Sequence, residues 1–250
     1  MMNRRGVIFI FLILLGLTAP VHSSFAQKRV GEGYAQPTFG EIVQTMVLLK
    51  GYDINDRKVA DEYGRLVYCN LYKKNFGNDV AWNKIRSQYV SRIIEKKEYF
   101  RVLYETTGIF NLDRYDFETQ SFPISAQTAM KNVGSIKLFS AEEPRPDCGN
   151  MKALSVFPPI IILQLNQPLT LDRLNLPMEK VEKMLARIEE AGNKQRQVYG
   201  RLRMRITDAP GPIMSNDTIV RADLRGDVVS VDFFLDRELT KPIGGVKIRK

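Results

Sequence analysis

Two clusters in this chain have residue types and spacings that could do chemistry. Asp116 and Glu118 stand two residues apart in the run Asp113-Arg114-Tyr115-Asp116-Phe117-Glu118. On a strand, residues i and i+2 project from the same face, so the pair would be placed as two carboxylates are for acid–base work on a glycosidic bond. Arg114 would share that face and keep both ionised, which fits an ion-pair ladder equally well. Tyr115 and Phe117 would then turn to the core. The second cluster is Arg201, Arg203 and Arg205, alternating with Leu202, Met204 and Ile206. A period of two puts the three guanidiniums in one row on a sheet face and the aliphatic residues against the core. The planar guanidinium fork suits phosphate and carboxylate groups, so the row reads as an anion-binding face. It reads as well as a solvated face, neutralised across strands by Asp223 and Asp232.

Other chemistry is closed off by what the chain lacks. Its one histidine is His22, inside a segment with the order of a secretory signal peptide. Arg4 and Arg5 are the positive start, Val7 to Leu17 the apolar run, and Ser24-Phe25-Ala26 the small-residue cleavage region. The apolar run is shorter than the roughly 18 residues that a membrane-spanning helix needs. Cleavage is expected before Gln27, with the bond after Ser23 as second choice. The protein left by that cut has no imidazole for Ser–His or Cys–His nucleophiles or for histidine-ligated zinc. Ser121, Ser125, Ser140 and Ser155 have no neighbouring base in a serine–lysine motif, no glycine-rich phosphate loop follows a strand, and the acidic residues lack calcium-loop spacing. No metal and no cofactor is expected.

The elements that must position these clusters are legible in part. Residues 27–36 read as a flexible start. Thr38-Phe39-Gly40-Glu41 fits a capping box, and Ile42, Met46 and Leu49 continue at helical spacing to a stop at Gly51. A second helix is predicted over 56–75, with Val59, Tyr63, Leu66, Val67 and Leu71 on its buried face. Asn78 caps a third, marked by Trp82, Ile85, Tyr89 and Ile93. Strand-like segments follow near 99–107, 109–118, 133–140 and 158–166, the last ended by Pro168. Pro177 opens a fourth helix with an apolar stripe of Val181, Met184, Leu185 and Ile188, ended by Gly192. Strands near 198–207, 217–224 and 228–235 are separated by turn-rich Asp208-Ala209-Pro210-Gly211 and Arg225-Gly226-Asp227. The expected fold class is α+β: an N-terminal helical region (37–98), then a mainly antiparallel β-sheet with one inserted helix (99–250), as a single domain after the signal peptide (1–26). The loop 141–153 is the one internal boundary that composition offers.

Several of these residues resemble an uncharacterised secreted bacterial family, grouped as a domain of unknown function. They are Glu62-Tyr63 with Cys69-Asn70-Leu71-Tyr72, Trp82 with Ile85-Arg86, Leu112 to Phe117, and Phe122-Pro123. The resemblance spans most of the chain after the signal and implies export, with no activity, cofactor or catalytic residue.

The formal charge of +9 falls to +7 without the two signal arginines, which favours an anionic partner. The basic residues are scattered, apart from the tail Lys247-Ile248-Arg249-Lys250, and this argues against nucleic acid. In an oxidising compartment, two cysteines, Cys69 and Cys148, point to a disulfide. The leading expectation is a periplasmic or secreted, non-enzymatic binding or scaffold protein, its partner an anionic envelope component or another envelope protein, with no transmembrane segment after cleavage. The alternatives are a carboxylate-based hydrolase of envelope glycans using Asp116 and Glu118, and a secreted effector.

Overall fold

The computed structural model describes residues 33–95, 102–140, 155–190 and 196–248. The signal segment with His22, the 141–153 loop with Cys148, Gly192 and the last two tail residues lie outside them. Within them the chain is an α+β fold with its helices at the N-terminus. Thr38 caps α1 (Phe39–Leu48) through the predicted capping box, its side chain accepting from the Glu41 amide while Glu41 reaches back. The helix predicted over 56–75 is two helices. Asp56 caps α2 (Arg57–Val67) by accepting from the amides of Lys58 and Val59. The chain then leaves helical geometry at Tyr68 (φ −115°, ψ 42°) and restarts as α3 (Cys69–Asn75). The break also moves the buried face: Leu71, expected on it, is 46% exposed, and Tyr72 is the residue of α3 that is buried.

Helix α4 (Asp79–Glu95) packs on α2 through its aromatic residues. Trp82 donates its indole N–H to Asp61 at 2.7 Å, and Arg86 donates to the same carboxylate oxygen at 2.8 Å. Tyr89 donates to the Ala60 carbonyl at 2.7 Å. The two helices approach so closely at Gly64 that an added Cβ would lie 2.8 Å from the Trp82 ring. Burial pushes the hydroxyls of Tyr63 and Tyr89 well above the ordinary tyrosine range, so both stay protonated, and Tyr89 keeps its proton for the Ala60 carbonyl.

The main sheet runs in the order β1 (Leu103–Asn111), β6 (Gln197–Asp208), β8 (Thr218–Phe234), β4 (Ile161–Leu171), β3 (Met130–Phe139). β7 (Pro212–Ser215) and β9 (Pro242–Lys247) also pair with β8, and β2 (Ser121–Pro123) pairs with β5 (Arg173–Asn175) in a small second sheet. All pairings are antiparallel except β4 with β8. One sheet face is covered: Tyr104 of β1 is fully buried and hydrogen-bonds Thr45 and the Glu41 carbonyl of α1. Helix α5 (Met178–Glu190) buries Val181, Met184 and Ile188, three of the four residues predicted for its stripe, while Leu185 is half-buried. The buried residues form one cluster from Phe39 to Phe233.

Four strand expectations are corrected. β1 runs unbroken through Gly108, and residues 113–118 are no strand. Gly108 lies opposite Gly200, and the Phe110 ring fills the space that a Cβ on Gly200 would take. β4 continues through Pro168, which lies where its register with β3 shifts, so no regular ladder bond is lost there. The expected turn Arg225-Gly226-Asp227 is the middle of the 17-residue β8. A Cβ on Gly226 would collide with the Arg205 carbonyl oxygen, so the glycine serves close backbone approach and not a turn. The real hairpin turn, between β7 and β8, is Asn216-Asp217, both at positive φ (47° and 59°).

Gly226→Ala should therefore destabilise by roughly 1–3 kcal/mol or more through overpacking against backbone. Gly134→Ala in β3, where nothing lies within 4 Å of the new Cβ, should be close to neutral. Urea unfolding midpoints of the two variants check the contrast.

Candidate functional site

The solvent face of the sheet is built by alternation. Leu202, Met204 and Ile206 are buried, and Arg201, Arg203 and Arg205 project from the opposite face, as their spacing predicts. Register then decides what each arginine meets. Arg203 lies opposite Glu105 of β1, and Arg201 opposite Asp232 of β8. The four side chains close into a ring: Arg203–Glu105 at 3.3 Å, Arg203–Asp232 at 3.3 Å, Arg201–Asp232 at 3.2 Å and Arg201–Glu105 at 3.8 Å. Arg201 also lies over the Phe234 ring (4.8 Å) and Arg203 over Tyr34 (5.1 Å), contacts worth about 0.5–1 kcal/mol at exposed sites. Tyr34 is held there because Ala35 bridges to Tyr104, its carbonyl accepting from the Glu105 amide. Two cations and two anions cancel, so this half of the row is committed to its own sheet.

Arg205 differs. It is exposed, lies opposite Asp227, and makes no ion pair among the described residues. Arg225, also exposed, stands two residues before Asp227 on the same face and so diagonally across from Arg205. Sequence reasoning missed Arg225 because it fell in a supposed turn. Asn166 joins the group from β4, donating to Asp227 at 3.2 Å. Asp232 partners the row as expected, but Asp223 does not: it binds Arg221 at 2.8 Å and accepts from Gln164 at 3.1 Å.

The carboxylate pair meets a different fate. Asp116 and Glu118 lie in a surface loop closed by the bridges Leu112–Ile124 and Asp116–Ser121, so the shared strand face is not formed. The Asp116 carboxylate accepts from the Thr119 hydroxyl (2.8 Å) and from the amides of Glu118 (2.9 Å) and Thr119 (3.3 Å). These bonds, the Thr119 hydroxyl foremost, hold its carboxyl below the usual aspartate range. Glu118 and Arg114 are exposed. Tyr115 packs against Phe122 and donates to the Leu176 carbonyl (2.9 Å), but Phe117, expected to face the core, is 67% exposed. The pattern Asp-x-x-Thr, a turn in which the aspartate caps following amides, was a readable signal for this.

Among the described residues, no three His, Cys, Asp or Glu side chains converge as metal ligands, and no helix is long and apolar enough to cross a membrane. Met204→Asp should cost roughly 2 kcal/mol or more by burying an unpaired polar group. Replacing Arg201 and Arg203 by glutamine should cost no more than about 1 kcal/mol each, because their guanidiniums are partly solvated. Thermal unfolding separates the two outcomes.

No curated protein and no solved structure matches the chain. A family model described as a domain of unknown function (DUF4852) matches residues 56–187, more than half of the chain, and the chain belongs to that family.

Proposed function

We propose that this member of the family is an exported, non-enzymatic envelope protein that binds an anionic partner on the open face of its sheet. The observation that carries this reading is the contrast along the arginine row. Arg201 and Arg203 are neutralised by Glu105 and Asp232, while Arg205 and the neighbouring Arg225 reach solvent without an ion pair among the described residues. A sheet face with exposed guanidinium forks fits the phosphates or carboxylates of an extended envelope component. The excess positive charge of the whole chain would draw such a partner in at low salt. Of the carboxylates considered for a hydrolase, Asp116 is spent on a turn and Glu118 is exposed away from any shared strand face, and no observation favours that reading over binding.

Replacing Arg205 and Arg225 together by glutamine should weaken binding to vesicles containing phosphatidylglycerol by about tenfold or more, and added salt should weaken the parent in the same way. The Arg201/Arg203 double glutamine variant should bind within about twofold of the parent, since those guanidiniums already have partners. Equal binding by the Arg205/Arg225 variant and the parent would leave the row a solvated face.

Export is supported by the charged, apolar and small-residue order of residues 1–26. The intact mass of the exported protein should correspond to a chain starting at Gln27 or Ser24; full-length protein in the membrane fraction would overturn cleavage. In that compartment Cys69, the first residue of α3, would pair with Cys148. Non-reducing peptide mapping should recover the two linked, and free alkylation of both in unreduced protein would exclude the bridge.

A further inference from the structure

A second cluster of cations lies away from the arginine row, on α5. This helix segregates its charges. Val181, Met184 and Ile188 are its buried stripe. Lys180, Lys183 and Arg187, spaced three and four apart, form a basic stripe bordering it; Glu182 and Glu189 fall on the far flank, and Glu179 and Glu190 lie along the stripe's outer edge. Like charges at this spacing oppose helix formation, so the stripe is not explained by the helix's own stability. Glu179 stands four residues before Lys183, a favourable spacing for a helix ion pair, yet no ion pair joins them. None of the three cations makes an ion pair or side-chain hydrogen bond among the described residues.

The three instead line a cleft of about 120 Å³ between α5 and the start of β9, with Met184 on its floor and Pro242 and Ile243 on its far wall. No carboxylate lines it among the described residues. The β9 wall is fixed in place: Asp236 accepts from the Thr240 hydroxyl and from the amides of Thr240 and Lys241, which sets the residues leading into Pro242. The same bonds keep the Asp236 carboxyl below the usual range, and they direct it to the loop backbone. Sites for whole small molecules run to roughly 300–1,000 Å³. A cleft this small, basic on one wall and apolar on the other, suits one charged group and the first carbons attached to it.

The geometry points to a phosphate-binding cleft formed by Lys180, Lys183 and Arg187 against Ile243, taking a phosphate ester through its oxygens with the ester's apolar portion along Met184 and Ile243. Three cations with no competing carboxylate more than offset the negative charge of a phosphate ester, and the arginine fork can take two of its oxygens. The cleft uses no residue of the outward sheet face, so it stands or falls independently of the arginine row.

The test is titration of the purified protein, followed by amide NMR shifts and calorimetry, with two probes: dihexanoyl phosphatidylglycerol below its micelle concentration, and inorganic phosphate. Shifts concentrated at 180–187 and 242–244 with either probe support the cleft. Phosphatidylglycerol binding tenfold or more tightly than inorganic phosphate would identify the lipid headgroup as the source, and equal binding would identify the phosphate group alone. Lys180→Gln, Lys183→Gln and Arg187→Gln together should weaken binding by about tenfold or more. The charge-matched set Lys73→Gln, Lys74→Gln and Lys84→Gln, on exposed positions of α3 and α4, should leave it within about twofold, since those lysines lie outside the cleft. Equal losses in the two sets, or shifts absent from α5 and β9 in the unmodified protein, would overturn the proposal. Because the shift map is recorded on unmodified protein, it decides for or against the cleft even if the triple variant does not fold.

Discussion

Gly226 is the point on which the sheet turns. Its backbone runs against the Arg205 carbonyl where any side chain would collide, and this lets β8 continue for 17 residues through a segment whose composition says turn. The length matters because β8 is the strand that the others share. Its first part pairs with β7 and, in parallel, with β4, the last matched pair being Leu165–Gly226; its second part pairs with β6 and β9. Were the chain to turn at 225–227, β4 and β9 would have no common neighbour. Arg205, Arg225 and Asp227 would not share a face.

From that arrangement follows a division of labour among chemically identical side chains. Arg201, Arg203 and Arg205 are equivalent by sequence, but the strands beside them are not uniform. Glu105 and Asp232 fall opposite the first two and close a neutral ring. At the third, β1 offers only Leu103, and the carboxylate that β8 places opposite, Asp227, accepts from Asn166 and makes no ion pair with Arg205. Coulomb attraction is strong only at contact distance, so a register partner that turns to another donor leaves the arginine to solvent. On α5 the helical period makes a similar separation, turning bases to a cleft and acids to solvent.

The helical region is tied to the sheet by a few directional contacts. Tyr104 links β1 to α1 through Thr45 and the Glu41 carbonyl. Glu62 of α2 accepts from the Ser155 amide and hydroxyl and the Val156 amide, fastening the chain just ahead of β4. Phe157 is buried against Tyr52 beside that strap. The family-matched span, 56–187, holds α2 through the basic stripe of α5, and the arginine row follows it.

Patterns set by neighbours along the chain were legible without a structure. The capping box at Thr38, the α4 and α5 stripes, the alternation of 201–206 and the α+β class all rest on local spacing, and each is present, with Ile85 and Leu185 half-buried at the stripes' margins. The misreadings share a cause. Pro168, Gly108 and Gly226 are turn-formers by intrinsic preference, and their place inside strands depends on a register shift, a facing Gly200 and a close carbonyl contributed by residues distant in sequence. Asp116 and Glu118 looked like a strand pair because period two was carried past the end of β1, where a turn capped by Asp116 takes over. Which arginine is neutralised and which is left to solvent, and which lysines share a cleft with β9, depend on pairings between segments far apart along the chain. Local periodicity fixes the direction in which a side chain points, while only tertiary register decides what it meets there.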